Sequence, residues 1–113
     1  MKGPEAWAWL QTQPLTFRTS TYQILGFMRE ERRSLDYYDL HRLHKFPLSL
    51  NVLRSLTILA HEKLIRTTTQ RALTAGRYGV VKYTLTRTGA YVLDKHRREA
   101  TRLWEEGSKA ATP

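Results

Sequence analysis

The chain has no cysteine in its 113 residues. That removes a disulfide framework, a thiol nucleophile and any cysteine-held zinc or iron–sulfur site. Acidic residues are scarce, ten Asp and Glu against nineteen Lys and Arg, for a formal charge of +9. Long apolar runs are missing as well. No stretch approaches the ~18 apolar residues of a membrane span, and the opening MKGPEAWAWLQTQP lacks the apolar centre of a secretory signal. The expected location is therefore cytoplasmic, with no membrane partner. Also absent are a glycine-rich phosphate loop, paired carboxylates and any Ser-His-Asp spacing, so no enzyme is expected. His41 and His44 sit three apart and His61 follows on another helix, but no Cys or well-placed carboxylate completes a metal site. Neither a metal nor a cofactor is expected.

What is present is basic charge, concentrated in one part of the chain. Between Leu40 and Leu93 lie Arg42, Lys45, Arg54, Lys63, Arg66, Arg71, Arg77, Lys82 and Arg87, against a single acid, Glu62. That segment carries +8, while the remainder, ten basic against nine acidic, carries +1. Such asymmetry points to a polyanionic partner, nucleic acid first and an anionic membrane surface second. A length of 113 residues allows one domain plus an arm, with a core large enough to need no staples.

Residues 1–18, broken by Pro4 and Pro14, read as an N-terminal arm whose Trp7 and Trp9 pack on the domain or on a partner chain. A helix is expected from about Thr21 to Arg32, with Ile24, Leu25 and Met28 as its apolar stripe. A short second helix starts at Ser34 or Asp36, turns Tyr37, Leu40 and Leu43 inward, and is stopped by Pro47. Ser49 caps a third helix, about Leu50 to Lys63, in which Val52, Leu53, Leu56, Leu59 and Ala60 recur at helical spacing. The β-branched run Leu64 to Arg71 and the stretch Val80 to Leu85 form a hairpin around a loop with two glycines. A last helix begins at Thr86 or Thr88, striped by Val92, Leu93, His96, Ala100 and Leu103, with Trp104 beside it. The domain is thus 19–106, and 107–113 reads as a flexible tail.

Helix, short helix, tight turn, helix and basic hairpin make a helix-turn-helix followed by a wing. The expected fold class is α+β, a winged helix-turn-helix with three helices, a β-hairpin wing and a C-terminal helix. LAHEKLIR, Leu59 to Arg66, followed by YTLTRTG, Tyr83 to Gly89, resembles winged helix-turn-helix regulators of the MarR and PadR type. The resemblance covers about Thr19 to Arg98 and rests on Leu59, Leu64, Ile65, Tyr83, Leu85, Thr86 and Gly89. Lys63 stands where those families usually carry Gly, which suggests a differently capped helix end. By this resemblance, bases would be read by Ser49, Asn51, Arg54 and Ser55 at the start of the third helix. Arg71, Arg77 and Lys82 would belong to the wing.

Arg66 and Tyr78 complete the candidate DNA-binding set, Tyr78 either stacking on a sugar or packing on the hairpin. The expected function is a sequence-specific binder of double-stranded DNA, probing the major groove with helix 50–63 and the backbone or minor groove with wing 71–82. A dimeric transcriptional regulator, associated with the nucleoid, is the leading role. Two alternatives stay open: a replication, partition or recombination accessory factor of a plasmid, phage or archaeal element, and a winged helix that binds protein. Members of the resembling families dimerise through terminal helices, and Trp7, Trp9, Val92, Leu93, Ala100 and Leu103 are the expected homodimer contacts.

Overall fold

Pro4 and Pro14 open helices rather than interrupting them. Proline suits the first helical position because its missing N–H has no helical partner there. Pro4 accordingly lies in the first turn of α1 (Gly3–Gln11), and Pro14 at φ −56° precedes α2 (Leu15–Glu31). The expected arm is therefore helical for most of its length, and the helix expected from Thr21 begins six residues earlier. The computed structural model describes residues 2–70 and 80–111. After α2 come β1 (Leu35–Asp36), α3 (Tyr37–His44), α4 (Leu50–His61), β2 (Ile65–Gln70), β3 (Val80–Leu85) and α5 (Arg87–Ala111). Among the described residues this is an α+β fold of five helices and one three-stranded antiparallel sheet, ordered β1-β3-β2. Helix α5 continues to Ala111, through most of the segment expected as a flexible tail.

One core joins every element. Ala6 and Leu10 from α1, Ile24, Leu25 and Met28 from α2, Leu35, Leu40, and Val52, Leu56 and Leu59 from α4 meet Leu64, Ile65, Tyr83, Val92 and Leu93. Each fully buried leucine contributes about 1.5–3 kcal/mol relative to exposure. That matters most for α1, since nine residues are too few for a helix to persist alone in water. Its burial of Ala6 and Leu10 is what holds it.

The packing directions follow from a few contacts. Gly3 lies so close to Tyr91 that an added Cβ would meet the ring carbon at 2.5 Å, and Lys95 Nζ sits 5.5 Å above the Trp7 ring. These pairs advance together, so α1 runs parallel to α5. Helix α2 runs antiparallel to α5: Arg29 pairs with Asp94, and Tyr22 stacks on His96 at 3.6 Å.

The α5 start is tied to the sheet by a clasp. Thr86 Oγ1 donates to the carbonyl oxygens of Lys63 (2.6 Å) and Leu64 (2.8 Å) and accepts the Gly89 N–H at 3.0 Å. A Cβ at Gly89 would lie 2.1 Å from the Leu64 oxygen. The Thr-x-x-Gly spacing therefore serves two needs at once, a cap for α5 and a close approach between backbones.

Candidate nucleic-acid interface

Helix α3 is placed by a reciprocal cap. The Asp36 carboxylate accepts the Asp39 N–H at 2.7 Å, and the Asp39 carboxylate accepts the Asp36 N–H at 3.0 Å. Asp39 is nearly buried and is neutralised by Arg42 at 2.6 Å. The helix ends at Lys45, which takes the left-handed conformation (φ 54°), and the Phe46 N–H returns to Leu40 O at 3.2 Å. Phe46 then packs edge-on against Phe27 at 6.0 Å and anchors the turn. Leu40 is buried as expected and Tyr37 half-buried, but Leu43 is exposed, because α3 is too short to bury a second turn of its stripe.

Helix α4 opens at Ser49, whose hydroxyl accepts the Val52 N–H at 3.3 Å. Its carbonyl accepts the Tyr37 hydroxyl at 3.2 Å. Ser49 is thus partly buried, and its hydroxyl caps α4. With Val52, Leu56 and Leu59 inward, Leu50, Asn51, Arg54, Thr57 and His61 form the exposed row. Asn51 and Arg54 lie where the sequence places them. Ser55 is half-buried and gives way on this row to Thr57, which sequence reasoning missed. Helical spacing alone carries the signal, since 54, 57 and 61 repeat at three and four.

In the sheet, Ile65 pairs with Leu85 and Thr67 with Tyr83 on one face, where Ile65 and Tyr83 are buried and Thr67 is exposed, while Arg66 opposes Thr84 and Thr68 opposes Lys82 on the other. Arg66 and Lys82 therefore share that outer face as diagonal neighbours, a spacing of about 7–8 Å between backbones. Lys82 is half-buried and also faces Asp36 across the β1–β3 pair. Burial holds the Tyr83 hydroxyl above its ordinary pKa, in keeping with a core role. Arg71, Arg77 and Tyr78 lie outside the described residues.

The histidines have structural uses. His41 Nδ1 lies 2.9 Å from Phe46 O. His44 stacks on Phe27 at 4.0 Å, and its buried Nε2 lies 3.3 Å from a Glu31 oxygen without a hydrogen bond. Among the described residues no group of three His, Cys, Asp or Glu is arranged to hold a metal, and no helix is long and apolar enough to cross a membrane.

The expected dimer contacts divide. Val92 and Leu93 are buried in the chain's own core, because α1 and α2 cover that part of α5, so they cannot also line a surface between chains. Trp7 and Trp9 are half-buried and pack on the same core, Trp9 edge-on to Phe17 at 6.0 Å. Ala100 and Leu103 remain exposed. Compared with family models, with curated proteins and with solved structures, the chain finds no match.

Proposed function

We propose that the protein binds double-stranded DNA sequence-specifically as a winged helix-turn-helix, with α3 and α4 as the helix pair and β2–β3 as the base of the wing. The observation that carries this reading is the exposed row Asn51, Arg54, Thr57 and His61 on α4, set immediately before a hairpin whose outer face bears Arg66 and Lys82. A helix about 10–12 Å across fits a major groove about 12 Å wide. Arg and Asn are the side chains suited to bidentate contact with guanine and adenine. The surrounding basic charge supplies phosphate neutralisation, and the row on α4 supplies choice of sequence. Transcriptional regulation by a paired molecule is the role we favour.

In vitro selection of bound duplexes tests the proposal. A two-fold symmetric site should emerge, and log K should fall with log salt at a slope of roughly −5 to −9, for about six to ten phosphates per pair. No enriched sequence together with a slope shallower than about −2 would reject it.

One observation favours a second reading. Leu43, Leu48 and Leu50 are exposed around the turn, Leu50 by 78%. Apolar side chains there suit either thymine methyl groups or a protein partner. Capture of a protein through α4 that persists at high salt would support the protein-binding alternative.

A further inference from the structure

Helix α2 ends in a charged run, REERR from Arg29 to Arg33, that the DNA reading leaves unused. Where α2 gives way to β1, a groove of about 460 Å³ opens between the helix end and β3. Met28 and Leu85 are its apolar part, and Arg29, Arg32 and Arg33 line it together. Among the described residues no carboxylate lines it. Glu30 and Glu31 belong to the same run but stay outside the groove, Glu31 lying beside His44.

The three arginines differ in what holds them. Arg29 is fixed by Asp94 of α5. Arg32 makes no ion pair among the described residues. Arg33 comes no closer than 3.9 Å to Glu31 or Asp39, beyond hydrogen-bond reach, and Asp39 is already met by Arg42 at 2.6 Å. Two guanidinium groups are therefore uncommitted. Beside them the Ser34 and Thr84 hydroxyls lie 2.7 Å apart. Their mutual hydrogen bond uses one of two hydroxyl protons, leaving the other for a further acceptor. Arg66 opposes Thr84 from β2, about 5 Å away between Cβ atoms, and so borders this hydroxyl pair.

We propose that this groove binds a phosphate group. A guanidinium presents its N–H donors in a planar fork that meets phosphate oxygens two at a time. A carboxylate offers two oxygens and one charge, whereas several guanidinium groups and a hydroxyl can satisfy more of both. The C-terminus of α2 opposes an anion with only about half an elementary charge, less than the two unpaired guanidinium groups supply. The volume falls within the ~300–1,000 Å³ of small-ligand sites, leaving room for the group that carries the phosphate, with Met28 and Leu85 against it. The phosphate can arrive on a free small molecule such as a nucleotide, or within a duplex backbone resting on Arg66. The site makes no use of α4 and does not depend on the DNA reading.

Titration calorimetry of the full chain in phosphate-free buffer tests this, with AMP and adenosine as probes. AMP should bind with a dissociation constant below ~1 mM, and adenosine should not bind. Arg32→Gly combined with Arg33→Ala should weaken AMP at least tenfold. Glycine suits the φ of 55° at position 32 and Arg33 is exposed, so the thermal transition should stay cooperative. Arg98→Ala combined with Arg102→Ala removes the same charge outside the groove and should leave AMP binding intact. A second arm titrates both double variants against random duplex. A loss confined to AMP identifies a free phosphorylated molecule as the source. A tenfold loss on duplex for the groove pair beyond that of the control pair, with no AMP binding by the wild type, identifies the backbone. If the groove pair loses no more than the control pair in both arms, the proposal is overturned. A chain that binds AMP in the groove but selects no duplex would sink the DNA-binding proposal and leave this one standing.

Discussion

Lys63 stands where the resembling regulators carry Gly, and the structure shows what that exchange costs. Its φ is 67°, in the left-handed region that glycine enters freely. Arg32 and Lys45 end α2 and α3 the same way, at φ 55° and 54°. Three successive helices thus end on a cation in a strained conformation. The strain is of order 1 kcal/mol for a side chain with a Cβ, and a cation near a helix C-terminus returns about 0.3–1 kcal/mol at low salt. The two effects nearly offset, with strain ahead once salt screens the charge. Lys63→Gly should therefore raise stability by about 0.5 kcal/mol at 0.15 M salt, a rise of roughly 2–4 °C in Tm. A thermal melt that shows a fall instead would mean the Lys63 charge outweighs its backbone. The helix end was expected to be capped differently without glycine. In this chain the end is closed by the Leu64 N–H reaching Leu59 O at 3.0 Å, with Lys63 bearing the left-handed turn.

Helix α4 and the hairpin divide the proposed work between reading and holding. Arg54 lies mid-row on α4, where a guanidinium can meet a guanine edge. Arg66 lies on the outer face of the sheet, suited to phosphate. Arg54→Ala is expected to cost ~1–3 kcal/mol on the selected site and far less on random duplex. Arg66→Ala is expected to weaken both alike and to flatten the salt slope by about one. Titrations of both variants at matched salt decide the matter, and equal losses on both duplexes for Arg54→Ala would remove α4 as the reader. The elements behind this argument were legible to different degrees. Ser49, Val52, Leu56 and Leu59 announce α4 through a cap and a strict spacing, and Val80–Leu85 announces β3 through alternation. Strand β1 was missed because two residues, Leu35 and Asp36, display no period; only pairing with Lys82 and Tyr83 makes them a strand. Helix α1 was missed because Pro4 and Pro14 look like breakers until Pro4 is placed in the first turn of α1 and Pro14 at the N-cap of α2. Ser55 and Thr57 were exchanged on the outer row because Ser55 lies on the flank of α4 beside the buried stripe, whereas Thr57, three residues from Arg54 and four from His61, continues the row.

At the scale of the whole molecule, His96 couples stability to pH. The ring lies on Tyr22, and burial first, with the neighbouring Arg97 second, holds its pKa below the ordinary value near 6.5. Between the lowered folded value and 6.5 the unfolded chain binds more protons than the folded one, so stability rises with pH across that window. His96 thus favours the fold fully above about 6.5, and that contribution drains away as the solution is acidified through the folded value. Melts between pH 7.5 and 5 should show the loss. His96→Phe, which keeps a ring against Tyr22 but takes no proton, should remove part of it. An unchanged pH dependence in that variant would place the titration elsewhere.

The sheet order β1-β3-β2 also sets a schedule for synthesis. Among the described residues Leu35 and Asp36 pair only with Tyr83 and Lys82, so the first strand made waits for the last. On a ribosome adding about 5–20 residues per second, that interval is roughly 2–10 s. Val92 and Leu93, which close the core, arrive later still. During the wait the nascent chain exposes a strand edge to its neighbours, the circumstance in which long unpaired strands recruit other chains. A β1 of two residues presents too little ladder to template such pairing. Its brevity, which hid it from sequence reasoning, is also what lets it wait safely.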